Sequence, residues 1–353
     1  MPRILDKLDA AAGRTPEFLD LGIDYETCRP GPDALIQPDG TYAAGWFHSF
    51  DGDWNLDASS AFDIALQRWV HLAFDAPDHF IVCNLANLTR ASNTALLVAD
   101  KRTGAFHHAS LTHLYPQDTV EVDAPYTHWK DTETGSFVRI HDDLSVELGI
   151  NAEGLHFVAR ARHALGPAFV QASRFQRGRG AIQWYRILEI EHALLGVDDR
   201  VIPIPAGTMG TCDRTVGHQR GVQAWNWVAG VGTATDLETG ERTRLGVQIA
   251  KDRHLARPQV PNKKYLIWTE DRLHKLGEVD FVYTRGEPWR ILGQDIDFRF
   301  EPAFHRHEEK RLMLVRADFH QFYGALSGDV TVGGRTWRLD PCFAVTEESL
   351  LEL

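Results

Sequence analysis

Stretch after stretch of this chain alternates apolar and polar side chains with a period of two. Examples are Asp63–Val70, Phe137–Ile140, Leu144–Leu148, Leu155–Arg160, Arg244–Ile249, Lys264–Trp268, Val279–Tyr283, Asp295–Phe300, Leu312–Val315 and Asp329–Val332. Each is about 4–8 residues long, and many are bounded by Gly, Asp, Asn or Pro, the pattern of strands that bury one face. Ala152–Gly154, Asp236–Gly240 and Gly333-Gly334 before Arg335 fit hairpin turns. Helical spacing is rare: Pro16–Leu21 and Ile187–Leu195 (ILEIEHALL) are the short candidates. The expected class is therefore mainly β. The run Gly196–Gly210 (GVDDRVIPIPAGTMG) has no clear period and carries two prolines, so a domain boundary is expected there. That gives an N-terminal domain over 1–200 and a C-terminal domain over 201–353. Closed antiparallel barrels remove exposed sheet edges and can enclose one small ligand, and two in tandem fit this length.

Charge and cysteine content narrow the partners. The formal net charge of −12 argues against a nucleic-acid or anionic-membrane partner, because both would repel the chain. Cys28, Cys83, Cys212 and Cys342 lie far apart with no Cys-x-x-Cys, which fits free thiols in a reducing compartment. No run approaches the length of an integral membrane segment, and the first residues carry no sustained apolar region. A cytoplasmic protein is expected. Nucleophile elbow, phosphate loop, dinucleotide fingerprint and zinc-finger spacing are all missing, so no cofactor is assigned.

Chemistry-bearing residues concentrate in Gly210–Trp227 (GTCDRTVGHQRGVQAWNW). Its first part, through Gly221, reads as a polar loop, and its second as a strand with Trp225 and Trp227 on one face. Asp213 is the candidate proton donor, since a carboxyl group in apolar surroundings can stay protonated near neutrality. His218 is placed to orient it or relay a proton, and Trp faces stabilise a developing cation. Arg214 pulls the other way, because a close guanidinium favours the carboxylate. Two further readings stay open: Asp213 pairs with Arg214 or Arg220 to cap a turn, or it anchors a ligand.

Several other residues can meet a ligand. Lys275 suits an anionic head group or a solvated strand end. Glu301 before Pro302 is a second carboxylate or a turn residue. Gln321 and Tyr323 share a strand face that is either lining or solvated, and Gly324 marks a bend. His305 and His307 alternate, with Glu309 at the same parity and His320 a possible third ligand. The run HRHEEKR reads as a solvated turn between strands, however, so no metal is assigned. Most of the 10 tryptophans are expected in cores.

Asp213-x3-Gly217, Trp225-x-Trp227, Gly246, His274-Lys-Leu276, Pro288-Trp289, Phe300-Glu-Pro302 and Gln321-Phe-Tyr-Gly324 occur in order across residues 210–328. In these the C-terminal half resembles the family called domain of unknown function 2804, of the lipocalin-like (calycin) group. The first half resembles it much less. The resemblance implies two lipocalin-like barrels, an arrangement similar to carotenoid 1,2-hydratases and some lipid-binding survival proteins. In the hydratases an Asp in a Gly-flanked polar motif protonates an alkene, and Asp213 resembles that position, although their Asp-His-Asn-Trp-Gly pattern is missing. The expected function is binding of a hydrophobic, lipid- or isoprenoid-like molecule, with acid-catalysed hydration, isomerisation or cyclisation as its possible chemistry. The alternatives are a non-catalytic carrier or sensor and an interaction module without a cavity.

Overall fold

A computed structural model describes residues 23–56, 66–89, 91–114, 119–123, 125–176, 179–218, 222–254, 264–312 and 315–352. Among these residues there is no α-helix, and the chain forms two curled antiparallel sheets, one per barrel-like unit. Cys28–Ala164 and Ala168–Gln219 make the N-terminal unit. Arg220–Leu353, together with Leu165–Pro167 and the described residues up to Thr27, makes the C-terminal one. The division therefore follows Gln219, where the sequence places it at 200/201.

In the N-terminal unit the sheet runs Phe106–Leu114, Ala91–Asp100, His79–Asn87, Leu66–Asp75, Met209–His218, Arg179–Val197, Leu155–Gln176, Val146–Ala152, Phe137–Ile140, His128–Asp131, Val120–Asp123. Side-chain bonds join its ends. Asn87 Nδ2 donates to the Val120 carbonyl (2.6 Å), and the Thr94 hydroxyl donates to Asp131 (2.7 Å). The enclosed core holds Val70, Leu72, Phe74, Leu96, Phe157, Ile182 and Leu188.

The C-terminal sheet runs Leu273–Lys275, Lys264–Trp268, Arg242–His254, Val222–Asp236, Arg335–Glu352, Val315–Val332, Ile296–Leu312, Trp289–Gly293, Val279–Val282. It too curls until its ends meet: Lys251 Nζ donates to the Val279 carbonyl (3.1 Å) and Asn226 Nδ2 to the Tyr283 hydroxyl (2.9 Å). Val228, Ile249, Trp289, Phe300, Phe322 and Leu326 fill its inner face.

One irregularity sets what that inner face carries. A β-bulge lies between Pro302 and Phe304, so Phe300 pairs with Leu326 while His305 pairs with Phe322. The extra residue reverses the parity of the strand: Phe298 and Phe300 face inward before it, His305 and His307 after it. Gly324 stands across from the bulge. A Cβ there would come within 1.9 Å of the Glu301 carbonyl oxygen, so the kinked partner strand demands a glycine.

Three local expectations change. Ile187–Leu195 is strand, within Arg179–Val197. Residues 181–190 are buried on almost every side chain, and Glu191 is an extra residue between Ile190 and His192 in the pairing. Double-sided burial plus one bulge imitates a helical period. The polar segment after Gly210 is the strand Met209–His218. Its glycines serve close strand packing: a Cβ on Gly217 would lie 2.3 Å from the Gly180 carbonyl oxygen. The run HRHEEKR is strand, within Ile296–Leu312. The Pro16–Leu21 candidate and Arg220 lie outside the described residues.

Candidate functional site

The strand Met209–His218 sorts its side chains by parity. Cys212 and Val216 belong to the N-terminal core, so Arg214 and His218 share the inner face, and Asp213 occupies the other. Asp213 pairs across the sheet with Tyr185 and His71 and accepts a bond from the Thr215 hydroxyl (3.2 Å). It is half-buried, and its face is opposite to the apolar core. His218 is buried with its Nδ1 against the Tyr42 hydroxyl (2.5 Å), and its backbone N–H donates to the same oxygen (3.1 Å). Asp213 and His218 thus stand on opposite faces of one strand, and Trp225 and Trp227 belong to the other unit.

Arg214 lies where the sequence expected the acid to lie. It is 4% exposed; its guanidinium carbon sits 3.7 Å from the Trp184 ring centroid, and Nη1 donates to the Tyr126 carbonyl (3.0 Å). Trp54 stacks on Trp184 (4.8 Å, 25°) and packs against Tyr126 (4.7 Å). Arg186 is a diagonal cross-strand neighbour on the same face, since Trp184 pairs with Arg214 and Arg186 with Cys212. It is 1% exposed and donates from Nη1 to the Leu144 carbonyl (3.3 Å). Tyr126 and Leu144, which supply those carbonyls, both sit at φ 65°, a conformation non-glycine residues rarely adopt.

Among the described residues no carboxylate neutralises either guanidinium, and the Nε of each has no hydrogen-bond partner. Burial pushes both groups below their ordinary pKa, Arg214 well below, with the like charge of Arg186 adding to it. A guanidinium still holds its proton at physiological pH, so two unneutralised charges face this interior.

The inner face of the C-terminal unit carries a different cluster. His305 Nε2 lies 3.0 Å from His320 Nδ1, and Asp318 Oδ1 lies 3.1 Å from both His307 Nε2 and His320 Nε2. His320 is buried; burial, then the nearby Arg285 charge, pushes its pKa down to about 4. Burial likewise lowers His305. Both are neutral at pH 7. Arg285 is neutralised by Glu348, which is 1% exposed and accepts from Nε (2.8 Å), with Nη2 at an ion-pair distance of 2.8 Å.

The remaining expected residues divide. Trp225, Gln321 and Tyr323 do meet, on the sheet face opposite to Phe322. Trp225 Nε1 donates to Glu347 Oε2 (2.8 Å), Gln321 Nε2 to Glu347 Oε1 (2.6 Å), and Tyr323 to Gln321 Oε1 (2.8 Å). Trp227 is buried on that same face. Burial raises the Glu347 pKa against the bonds from Trp225 and Gln321. Lys275 donates to the Tyr25 carbonyl, and exposed Glu301 pairs with Arg299 (2.8 Å). Sequence reasoning missed Arg186, Trp54, Trp184, Asp318, Glu347 and Glu348. Arg186 had a signal: it is the one charge in the apolar run Ala181–Leu188.

Residues 193–351 match the family Domain of unknown function (DUF2804). This is the family that the motifs of residues 210–328 resemble, and the match takes in most of the C-terminal unit. No curated protein matches the chain. Among solved structures it is similar to an AttH-designated protein from Nitrosomonas europaea, at 13% identity over 83% of this chain and 95% of that one, TM-score 0.49. Kievitone hydratase from Nectria haematococca aligns at 11% identity over 89% and 98%, TM-score 0.41. CghA with Sch210972 aligns at 10% identity over 82% and 88%, TM-score 0.37.

Proposed function

We propose that this chain binds an amphipathic small molecule in its N-terminal barrel, with an apolar body among the core side chains and an anionic head group on Arg186 and Arg214. The observation that carries the reading is the pair of buried guanidinium groups that, among the described residues, no carboxylate meets. Two like charges in a low-dielectric interior are costly, and evolution rarely keeps them without a counter-charge. A carboxylate, sulfonate or phosphate supplies one, and a guanidinium fork matches such groups in both shape and charge. The Trp54 and Trp184 faces beside it offer apolar contact to the rest of the ligand.

This favours the carrier or sensor over the acid catalyst. Protonating an alkene needs a carboxyl group aimed into the apolar interior, and Asp213 stands on the opposite face of its strand. The test is fluorescence titration with a conjugated polyene fatty acid and its neutral methyl ester. The acid is expected to bind at least about tenfold more tightly, the factor of one lost charge-assisted bond. Arg214→Met and Arg186→Met are each expected to remove that preference. Equal binding of acid and ester, or an unchanged preference in both variants, overturns the proposal.

A further inference from the structure

A second site, independent of the first, lies on the β-hairpin formed by Ile296–Leu312 and Val315–Val332. His307 stands directly across from His320, and Glu309 directly across from Asp318. After the bulge at Ala303 these side chains share the inner sheet face with Phe322, against which His305 stacks (4.3 Å, 5°). His307 Nε2, Asp318 Oδ1 and His320 Nε2 all lie within 4.8 Å of one another. We propose that these three atoms bind a divalent transition-metal ion, with zinc the best fit.

The spacing is the first argument. Ligand bonds of about 2.0–2.1 Å in a tetrahedral zinc site put neighbouring donor atoms about 3.3 Å apart. The two Asp318 distances of 3.1 Å already approach that edge. Donor chemistry is the second: two imidazoles and one carboxylate suit zinc, and three protein ligands leave a fourth position for water or a bound molecule. The surroundings of His320 are the third. Its Nδ1 faces His305 Nε2 at 3.0 Å, the outer-sphere bond that a metal-bound imidazole makes through its second nitrogen.

Protons and metal are alternative occupants of the same place. Without metal, His307 Nε2–H donates to Asp318 Oδ1 (3.1 Å), and His320 Nε2 lies 3.1 Å from the same oxygen. When the ion binds, the Nε2 proton of each ring moves to its own Nδ1, and His305 takes the tautomer whose Nε2 accepts from His320 Nδ1–H, so three acceptor atoms meet one cation. The His307 and His320 rings lie 4.0 Å apart and 5° from parallel. The exposed His307 therefore turns to aim its Nε2, while buried His320 keeps its place. The positive charge of Arg285 that reaches the site is offset by Glu348, which pairs with it, and by the Asp318 carboxylate that joins the ion.

The experiment is calorimetric titration of the full, untagged, chelator-treated chain with zinc chloride, repeated with cobalt(II) followed by its visible absorption. One ion per chain, with the strong visible bands of a tetrahedral cobalt site, is the expected result. His307→Ala, at an exposed position that leaves the fold intact, should weaken binding by about 100-fold or more. His305→Ala should weaken it about tenfold, the usual size of an outer-sphere effect. Weak octahedral cobalt bands, no heat of zinc binding, or affinity unchanged in His307→Ala and in His320→Gln each overturns the proposal.

Discussion

The two barrels handle an interior cation in opposite ways. In the C-terminal unit Arg285 reaches inward and is met by Glu348 on the strand Arg335–Glu352, with both nitrogen-to-oxygen distances at 2.8 Å. In the N-terminal unit Arg186 and Arg214 reach inward and, among the described residues, meet the carbonyls of Tyr126 and Leu144 and the faces of Trp184 and Trp54, with no carboxylate. The N-terminal unit does own a buried carboxylate, Asp131, but it is fastened elsewhere by the Thr94 and Thr134 hydroxyls and the backbone N–H of Glu133. So a carboxylate is compatible with this core, yet among the described residues none stands beside the arginines. An internal ion pair completes a fold; an unmatched pair of like charges is completed by something from outside.

The comparison breaks most sharply at Glu348. Replacing it with Gln leaves Arg285 charged and mostly buried, and a loss of about 3 kcal/mol in unfolding free energy is expected from urea titration. Arg285→Met in the same chain should restore most of that loss, since both charges are then gone. A Glu348→Gln variant as stable as the parent would mean that the pair is not a structural one.

The next effect is smaller and lies in the N-terminal unit. Arg214→Met should cost little without ligand, because the desolvation that is relieved offsets the lost bond to Tyr126 and the contact with Trp184. With a polyene fatty acid at a hundredfold excess over the parent's Kd, the parent chain should gain about 2.7 kcal/mol, and the variant, binding at least about tenfold more weakly, about 1.4 kcal/mol or less. A loss of more than about 2 kcal/mol in the ligand-free variant would instead make Arg214 a structural residue.

How far these sites can be read from the sequence depends on parity. Period two was legible, and with it the strands, the barrel class and the common face of Gln321 and Tyr323. What parity alone cannot show is a register slip. The bulge at Ala303 turns His305 and His307 inward within a run so charged that it reads as a solvated turn. The extra residue Glu191 likewise makes ILEIEHALL look helical. Asp213 shows the reverse failure. Its motif is rich in chemistry, yet one residue of alternation decides that Arg214 and not Asp213 faces the core, and only the neighbouring strands fix which parity is inside. Glu347 and Glu348 arrive from the end of the chain, at a sequence distance that no local spacing reports.

Asp131 offers the finest test of how the N-terminal unit manages charge. Burial pushes its carboxyl pKa up, but the bonds from Thr94, Glu133 and Thr134 outweigh it, and the net direction is downward. A carboxyl group lowered in the folded state contributes stability that is fully present above its unfolded pKa, near 3.9, and is lost as pH falls through the folded value. Asp131→Asn removes the charge and turns one acceptor into a donor facing other donors, so a loss of about 1.5 kcal/mol is expected at pH 7. The gap between parent and variant should narrow below about pH 4, as the parent's own carboxylate takes up its proton. Urea titrations at pH 7 and pH 3 measure it. A gap of constant size at both pH values would mean that Asp131 is held by shape and not by charge, and the N-terminal interior would then have no use for an anion of its own. A gap that closes shows that this interior stabilises anions where it supplies donors for them, which is what a ligand head group beside Arg186 and Arg214 requires.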